Sequence, residues 1–405
     1  MLGPGLITGA SDDDPSGIAT YSQAGAGFGL TTLWTALITF PLMASIQEMC
    51  ARIGIVTSHG LTGVLKANYP KSILYTMMIF SFPAIVFNIG ADIESMGAVM
   101  HLLLPAIPVF SFEIFFTTLI IVVLIRYSYQ KLSAILKWLC IVLFLYLIIP
   151  FLVKVNWSDV AKHTFIPTIR LDKEFLEILV AILGTTISPY LFFWQATMEA
   201  EDIANNKKKV VIDKRFMNRM QVDIFSGMFF SNLVMFFIIL TTGVVLYQAG
   251  IRKIDTVEQA AKALSPLAGK TTYFLFAIGI IGTGFLAIPV LAGSLSYIVA
   301  ETFGWKQGLE KKFSGAPGFY LVMIVSLIAG LFMDFFGIQP MQALLYTAIL
   351  YGLTAPVMIA VVMHISNNEK VMGKSVNKKW SNISGTITLI LMTVAAVALI
   401  YFQFV

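Results

Sequence analysis

The sequence of 405 residues has little charge, cysteine or histidine. Charged residues make up 12%, and there are two cysteines and four histidines. Cys50 and Cys140 fall in or beside apolar stretches, which predicts buried thiols and neither a disulfide nor a cysteine metal site. No histidine cluster has metal-ligand spacing. The net charge of +5 does not indicate nucleic-acid binding, because the basic residues are dispersed among short segments.

Apolar residues dominate what is present. They make up 58% of the chain, and the mean hydropathy is +0.83. This composition predicts an all-α integral membrane protein, with residues 1–405 forming one transmembrane domain in the lipid bilayer. The apolar runs predict eleven spans, at 2–28, 31–51, 72–103, 108–126, 131–153, 175–204, 217–247, 271–299, 318–336, 339–365 and 382–404.

The basic residues indicate the orientation of these spans. Most of the 27 lie in the even-numbered connections, and the short odd-numbered connections have none. The remainder lie in two long connections, 154–174 and 248–270, where charge affects translocation less. Short basic connections stay in the cytoplasm, so we expect a plasma-membrane protein with a cytoplasmic N-terminus and an external C-terminus.

The first span is interrupted by an acidic segment at residues 9–17. It contains Asp12, Asp13 and Asp14, followed by the helix-breaking Pro15, with apolar residues on both sides. A charge near the bilayer centre costs at least ~2.5 kcal/mol, and freed backbone groups are tolerated only against protein or a water-filled cavity. The segment therefore predicts a cation site. A plain loop between a short interfacial helix and the next span is the alternative.

A second interruption is predicted in the sixth span, at residues 184–190. Pro189 removes a helical hydrogen bond and clashes with the preceding turn, although a simple proline kink is the alternative. The two interruptions lie five spans apart, and an odd number of helices per repeat inverts the second repeat. We expect repeats at about 1–153 and 175–365, an extra helix at about 382–404, and a substrate site between the broken helices at the membrane midplane.

At these two interruptions the sequence resembles the NRAMP family of divalent-metal transporters. The family's first helix carries Gly-Pro-Gly, Asp-Pro-Gly-Asn and Gln-Ala-Gly, and its sixth carries Gly-Ala-x-x-Met-Pro-His. The corresponding segments here are Gly3-Pro4-Gly5, Asp14-Pro15-Ser16-Gly17, Gln23-Ala24-Gly25 and Gly184-Thr185-Thr186-Ile187-Ser188-Pro189-Tyr190. The resemblance implies a LeuT-type fold and a transporter rather than an enzyme. It also implies a divalent metal as substrate and no cofactor.

The resemblance places metal contacts at Asp14, Gly17, Thr185 and Ser188. Gly17 stands where the family has Asn, and Ser188 where it has Met. A thioether favours soft transition metals, whereas oxygen ligands suit Mg²⁺, which keeps several of its waters. The two small residues also widen the pocket. The pattern is similar to that of the NRAMP-related magnesium transporters, so we expect Mg²⁺ (also Mn²⁺) as substrate, with a proton-coupled Mn²⁺/Fe²⁺ transporter as the alternative.

Several other residues are predicted to lie in an outer shell or vestibule, with a purely structural role left open for the last two. They are Ser11, Asp12, Asp13, Tyr190, Asp92 and Glu94.

Proton coupling is not expected, because Tyr190 replaces the family's histidine and Ala91 replaces one acid of its third-helix pair. An intramembrane aspartyl protease built on Asp92 and Asp223 is a weaker alternative. Oligomeric state is not predicted beyond the plausibility of a monomer.

Overall fold

The computed structural model describes residues 3–127, 143–205 and 213–404, and within these ranges the chain forms helices and no strands. The helices longer than one turn are α1 (Pro4–Asp12), α2 (Pro15–Phe28), α3 (Trp34–Thr57), α4 (Leu61–Asn68), α5 (Lys71–Leu103), α6 (Val109–Arg126), α7 (Leu145–Leu152), α8 (Trp157–Phe165), α9 (Lys173–Thr186), α10 (Pro189–Asn205), α11 (Lys214–Val245), α12 (Val257–Ala261), α13 (Thr272–Phe303), α14 (Pro317–Leu331), α15 (Pro340–Asn367) and α16 (Lys379–Phe404).

The long helices follow the predicted spans closely. Among the described residues seven helical segments are long and apolar enough to cross a bilayer, the broken pair α9 and α10 being one of them. The second span extends further than predicted, to Thr57 rather than residue 51, because nothing ends the helix before Ser58 turns left-handed with a φ of 55°. Of the predicted fifth span, 131–153, residues 131–142 lie outside the described ranges.

The interrupted sixth span lies at the centre of the bundle. In its most apolar window 94% of the residues are buried, compared with 33% in α6 and 33% in α16. Helix α9 packs on α15, and α10 packs on α3 and α13. A Cβ added at Gly184 would lie 2.1 Å from the carbonyl oxygen of Ala348, so α9 and α15 meet backbone to backbone. The second break is therefore surrounded by protein and not by lipid.

Both interruptions are narrower than the sequence predicts. Helix α1 continues through Asp12, and α2 starts at Pro15, so only Asp13 and Asp14 leave the helical path. Helix α9 likewise continues through Thr186. Each proline is the first residue of the following half-helix, where its missing N–H costs nothing. The prolines start new helices and do not kink a continuous one.

Helix α1 is held against α11 by close backbone packing and by one carboxylate. A Cβ added at Gly227 would lie 2.3 Å from the carbonyl oxygen of Gly5. The Asp223 carboxylate accepts hydrogen bonds from the backbone N–H groups of Gly3 (3.0 Å) and Gly5 (2.7 Å). It thereby caps the positive end of the α1 dipole.

Three of the basic connections lie together at one end of the bundle. His59 and Lys66, after the second span, line a cavity of about 700 Å³ together with Lys306 and Lys311, after the eighth. The Arg52 guanidinium donates to the carbonyl oxygen of Ser375, in the connection that precedes α16. The connections after the second, eighth and tenth predicted spans thus share one end of the folded protein.

Packing at Gly227 gives a test of this arrangement. Gly227→Ala is expected to destabilise the protein by about 1–3 kcal/mol, because the new methyl group overlaps the α1 backbone. The measurement is the midpoint of thermal unfolding in detergent. Gly315→Ala is the control, since a Cβ there meets nothing nearer than 3.9 Å. Equal unfolding midpoints for the two variants would show that α1 and α11 are not in close contact.

Candidate metal site

The first break places a carboxylate at the start of a half-helix. Asp14 is the N-cap of α2, and its Oδ1 accepts the backbone N–H of Gly17 at 2.7 Å. Aspartate is favoured at this position because its side chain satisfies an N–H that has no partner within the helix. The cap fixes the carboxylate at the interruption and leaves each oxygen with a further lone pair.

The second break is closed by a serine. The Ser188 hydroxyl lies 2.6 Å from the carbonyl oxygen of Thr185 and 3.0 Å from that of Gly184, and it donates its proton to these last carbonyls of α9. Its oxygen keeps lone pairs for a cation, and the Thr185 carbonyl retains a second one. The positions predicted as ligands, Thr185 and Ser188, thus contact each other directly.

The two breaks meet in the middle of the bundle. The Tyr190 hydroxyl donates to the carbonyl oxygen of Ser11 at 3.1 Å, which joins the start of α10 to the end of α1. A Cβ added at Gly17 would lie 3.5 Å from the Thr185 hydroxyl and 3.2 Å from the carbonyl oxygen of Asp12. The structure therefore brings together Ser11, Gly17, Thr185 and Tyr190, as the sequence predicts. The space at Gly17 is tighter than a widened pocket implies.

Asp12 is the last residue of α1 and Asp13 lies within the break, and both side chains are buried. Asp12, Asp13 and Asp14 each expose 4% of their surface or less. The Ser231 hydroxyl of α11 is 2.7 Å from Asp12 Oδ2 and 3.4 Å from Asp13 Oδ1. Helix α11 covers both residues in this structure, and their outer-shell or vestibule role stays a prediction.

Helix α5 contributes a third side of the site. Asn88 Nδ2 donates to Asp14 Oδ2 at 2.9 Å. Asp92, one turn further on, is buried and close enough to Asp14 for their charges to interact. Glu94 is also buried, but two residues correspond to about 200° around an α-helix, so it lies on another side of α5. Of the two predicted acids, Asp92 belongs to this cluster.

Sequence reasoning missed Asn88 as a site residue. The available signal was its spacing, since Asn88 and Asp92 are four residues apart and so share one face of a helix. The partner of Asp12 on α11, Ser231, had no comparable signal.

The aspartyl-protease alternative is not supported by the geometry. Asp223 caps the start of α1, and Asp14 lies beyond the other end of that helix. A helix of nine residues is ~13 Å long, so Asp223 does not form a pair with Asp92.

The acidic cluster has no basic partner among the residues that the structure describes. The four ion pairs within the described ranges do not involve this cluster. One of them is the buried pair of Arg52 and Glu48. In the same ranges no three His, Cys, Asp or Glu side chains converge as a metal cluster. The negative charge of these carboxylates is therefore not neutralised by a basic side chain of the described residues.

Comparisons with known proteins agree with this architecture. The "Divalent metal cation transporter MntH" of Caldanaerobacter subterraneus subsp. tengcongensis is 25% identical over 395 residues, which cover 95% of this chain and 89% of the relative. Its namesake in Acidiphilium cryptum is 25% identical over 379 residues, covering 92% and 83%.

Solved structures show the fold. A mutant of the Eremococcus coleocola manganese transporter matches with a TM-score of 0.76 and 19% identity, covering 98% of this chain and 85% of that one. Mhp1, a nucleobase-cation-symport-1 family transporter in a closed conformation, matches with a TM-score of 0.59 and 12% identity, covering 98% and 93%. This chain therefore has the LeuT-type fold. The family model described as natural resistance-associated macrophage protein-like matches residues 5–402, so the protein belongs to the Nramp family.

Proposed function

We propose that this protein is a transporter for the uptake of divalent metal ions across the plasma membrane, with partly hydrated Mg²⁺ as preferred substrate and Mn²⁺ as a second. It would use alternating access without obligatory proton movement. The relatives' names support metal transport, since they are divalent metal cation and manganese transporters. The basic end of the bundle would face the cytoplasm, with the N-terminus inside and the C-terminus outside.

One observation carries the proposal, namely that the helix breaks hold buried carboxylates with no basic partner among the described residues. An unpaired buried charge is strongly unfavourable, and a bound cation offsets that cost. Asp14 is the proposed ligand, with oxygens of Ser188, Thr185 and the backbone near Gly17 beside it. Since these groups are buried, a cation reaches them only after surrounding helices move.

The preference for a hard ion follows from the donor atoms at the breaks. Ser188 offers a hydroxyl where the family pattern has a thioether, and the other groups named above are oxygens. Oxygen donors suit Mg²⁺, and water completes its shell.

The proton-coupled Mn²⁺/Fe²⁺ transporter stays the alternative, and one side chain near the second break bears on the choice of metal. The thioether sulfur of Met235 lies 3.8 Å from the Thr186 hydroxyl, close to the second break, and could serve as a soft ligand. Met235→Leu separates the two readings. It would leave the ratio of Mg²⁺ to Mn²⁺ uptake unchanged if Mg²⁺ binds through oxygens, and would selectively weaken Mn²⁺ and Cd²⁺ uptake if the sulfur is a ligand.

Asp14 is tested by charge removal. Asp14→Ala and Asp14→Asn are each expected to abolish Mg²⁺ uptake into proteoliposomes, because both remove the charge that is capped at the break. Binding is measured by calorimetry on purified protein that elutes as a folded species. The control is Asp159→Asn, an exposed acid in α8. Wild-type Mg²⁺ affinity in a folded Asp14 variant would rule out the assignment.

Ser188 is tested by restoring the soft donor. Ser188→Met is expected to shift preference from Mg²⁺ towards Mn²⁺ and Cd²⁺ by about tenfold, equivalent to ~1.4 kcal/mol. Ser188→Ala separates the loss of the hydroxyl from the gain of sulfur, and it should lower uptake without favouring Cd²⁺. Competition between metals in liposomes gives the ratio. An unchanged ratio in an active Ser188→Met protein would place selectivity elsewhere.

Coupling is tested with a pH-sensitive dye inside liposomes held at a fixed potential. Mg²⁺ addition is expected to cause uptake without internal acidification. Tyr190 replaces the family's histidine and donates its proton to the Ser11 carbonyl, and Ala91, which replaces a family acid, has no titrating group. The membrane potential, worth ~2.3 kcal/mol per charge per 100 mV, would drive entry. Metal-dependent acidification that accompanies uptake would contradict uncoupled transport.

A further inference from the structure

Helix α5 carries buried hydrogen-bond acceptors that have no donor. Asn88 and Asp92 are both fully buried. Asn88 Oδ1 and both carboxylate oxygens of Asp92 lack a hydrogen-bond partner. Each unsatisfied buried acceptor costs about 1–3 kcal/mol, and a charged one costs more. A ligand that offers hydrogen-bond donors would satisfy these three acceptors, which lie on one face of one helix.

The orientation of the Asn88 amide is fixed by the metal site itself. Its Nδ2 donates to Asp14 Oδ2, so the amide cannot be turned around without setting two acceptors against each other. Asn88 therefore holds the Asp14 carboxylate in place, while its own carbonyl oxygen remains available. It is a positioning residue for Asp14 and an acceptor in its own right.

The surroundings of Asp92 supply few donors. Tyr190 and Tyr351 lie with ring centroids 5.6 Å apart, and both are near enough to Asp14 and Asp92 for electrostatic interaction. The Tyr190 hydroxyl already donates to the Ser11 carbonyl. The Tyr351 hydroxyl has no partner and supplies one proton at most. Acceptors therefore outnumber donors on this side of the site.

A hydrated metal ion has the complementary chemistry. Water bound to a cation through oxygen turns its hydrogens outward, so the outer surface of a hydrated ion consists of donors. Mg²⁺ gives up its waters reluctantly, more so than ions that bind directly to several protein ligands. An acceptor-rich wall beside a single capped carboxylate matches an ion that is held partly through its waters.

We propose that Asn88 and Asp92 form the wall of the site that selects the hydrated ion, with Asn88 positioning Asp14 and Asp92 accepting hydrogen bonds from metal-bound water. This inference rests on the proposed function of the same site. Asn88 on α5 thereby supplies an amide in place of the one that the family pattern has at position 17, and Asp92 supplies a second carboxylate. Discrimination between Mg²⁺ and Mn²⁺ depends on this wall, whereas Asp14 supports the binding of both.

The test measures uptake of Mg²⁺ and Mn²⁺ separately in proteoliposomes. Asp92→Asn is expected to raise the half-saturating Mg²⁺ concentration about 10- to 100-fold, as for other groups that support metal ligands, and to change Mn²⁺ uptake at least tenfold less. Asn88→Leu is expected to weaken uptake of both metals, because it releases the Asp14 carboxylate that both metals need. Ser81→Ala is the control, since Ser81 is a buried polar residue of α5 about two turns before Asn88, and this variant should retain wild-type uptake of both metals.

A second measurement uses hexaamminecobalt(III), an inert cation that has the outer donors of hydrated Mg²⁺ and cannot bond directly to protein oxygens. It should inhibit Mg²⁺ uptake by the wild-type protein and lose this effect in Asp92→Asn. The wild-type arm remains informative if a variant does not fold. Absence of inhibition in the wild type would overturn the proposal.

The outcomes separate this inference from the proposed function. If Asp14→Ala abolishes uptake while Asp92→Asn keeps the wild-type ratio of Mg²⁺ to Mn²⁺ uptake, the proposed wall is wrong and the proposed function is unaffected. An equal loss for both metals in Asp92→Asn would also overturn the wall, because Asp92 would then support binding without selecting between the metals. If Asp14→Ala transports normally, the proposed function itself fails.

Discussion

The structure depends on keeping negative charge inside an apolar bundle without a basic partner among the described residues. Asp12, Asp13, Asp14 and Asp92 are all buried near the meeting point of the two helix breaks. Their nearby donors are a backbone N–H, one amide and one serine hydroxyl. These donors stabilise the carboxylates only in part, because a full charge in a medium of low polarity needs a counter-charge. The proposed cation site rests on this imbalance and not on any single residue.

The interruptions in the two helices are tolerated because protein, and not lipid, surrounds them. Helix α9 meets α15 backbone to backbone at Gly184, and the Ser188 hydroxyl satisfies the carbonyls at its end. Helix α1 is held in a similar way, because it meets α11 backbone to backbone at Gly227. In addition, the Asp223 carboxylate of α11 accepts hydrogen bonds from two backbone N–H groups in its first turn. Both half-helices are therefore fixed to neighbouring helices by close packing of the backbone.

The metal preference proposed for the site depends on the ligand atoms at the two breaks, where the family's thioether is absent. Replacing a thioether by the Ser188 hydroxyl removes the reason for a soft metal to bind there. The glycine at position 17 does not simply leave an open space, because the Asp12 carbonyl and the Thr185 hydroxyl lie close to it. Acceptors without a hydrogen-bond partner lie instead on α5, at Asn88 and Asp92. The proposed wall would therefore move the basis of selectivity from ligands on the broken helices to a neighbouring continuous helix.

The sequence alone determined the membrane class, the all-helical fold and the positions of both breaks. Hydropathy, aspartates within an apolar stretch and helix-breaking prolines act on the chain locally, so their effects can be predicted without knowing which helices pack together. The resemblance to the family's first- and sixth-helix motifs also led to the prediction of Asp14 and Ser188 as metal contacts. The tertiary structure decided the width of each break, the burial of Asp12 and Asp13, the separation of Asp92 from Glu94, and the bond between Asn88 and Asp14. It also decided the Asp223 cap on Gly5, which joins residues 218 positions apart. Such contacts depend on which helices pack together and on how closely, and the local periodicity of a sequence does not specify the partner of a side chain across the bundle.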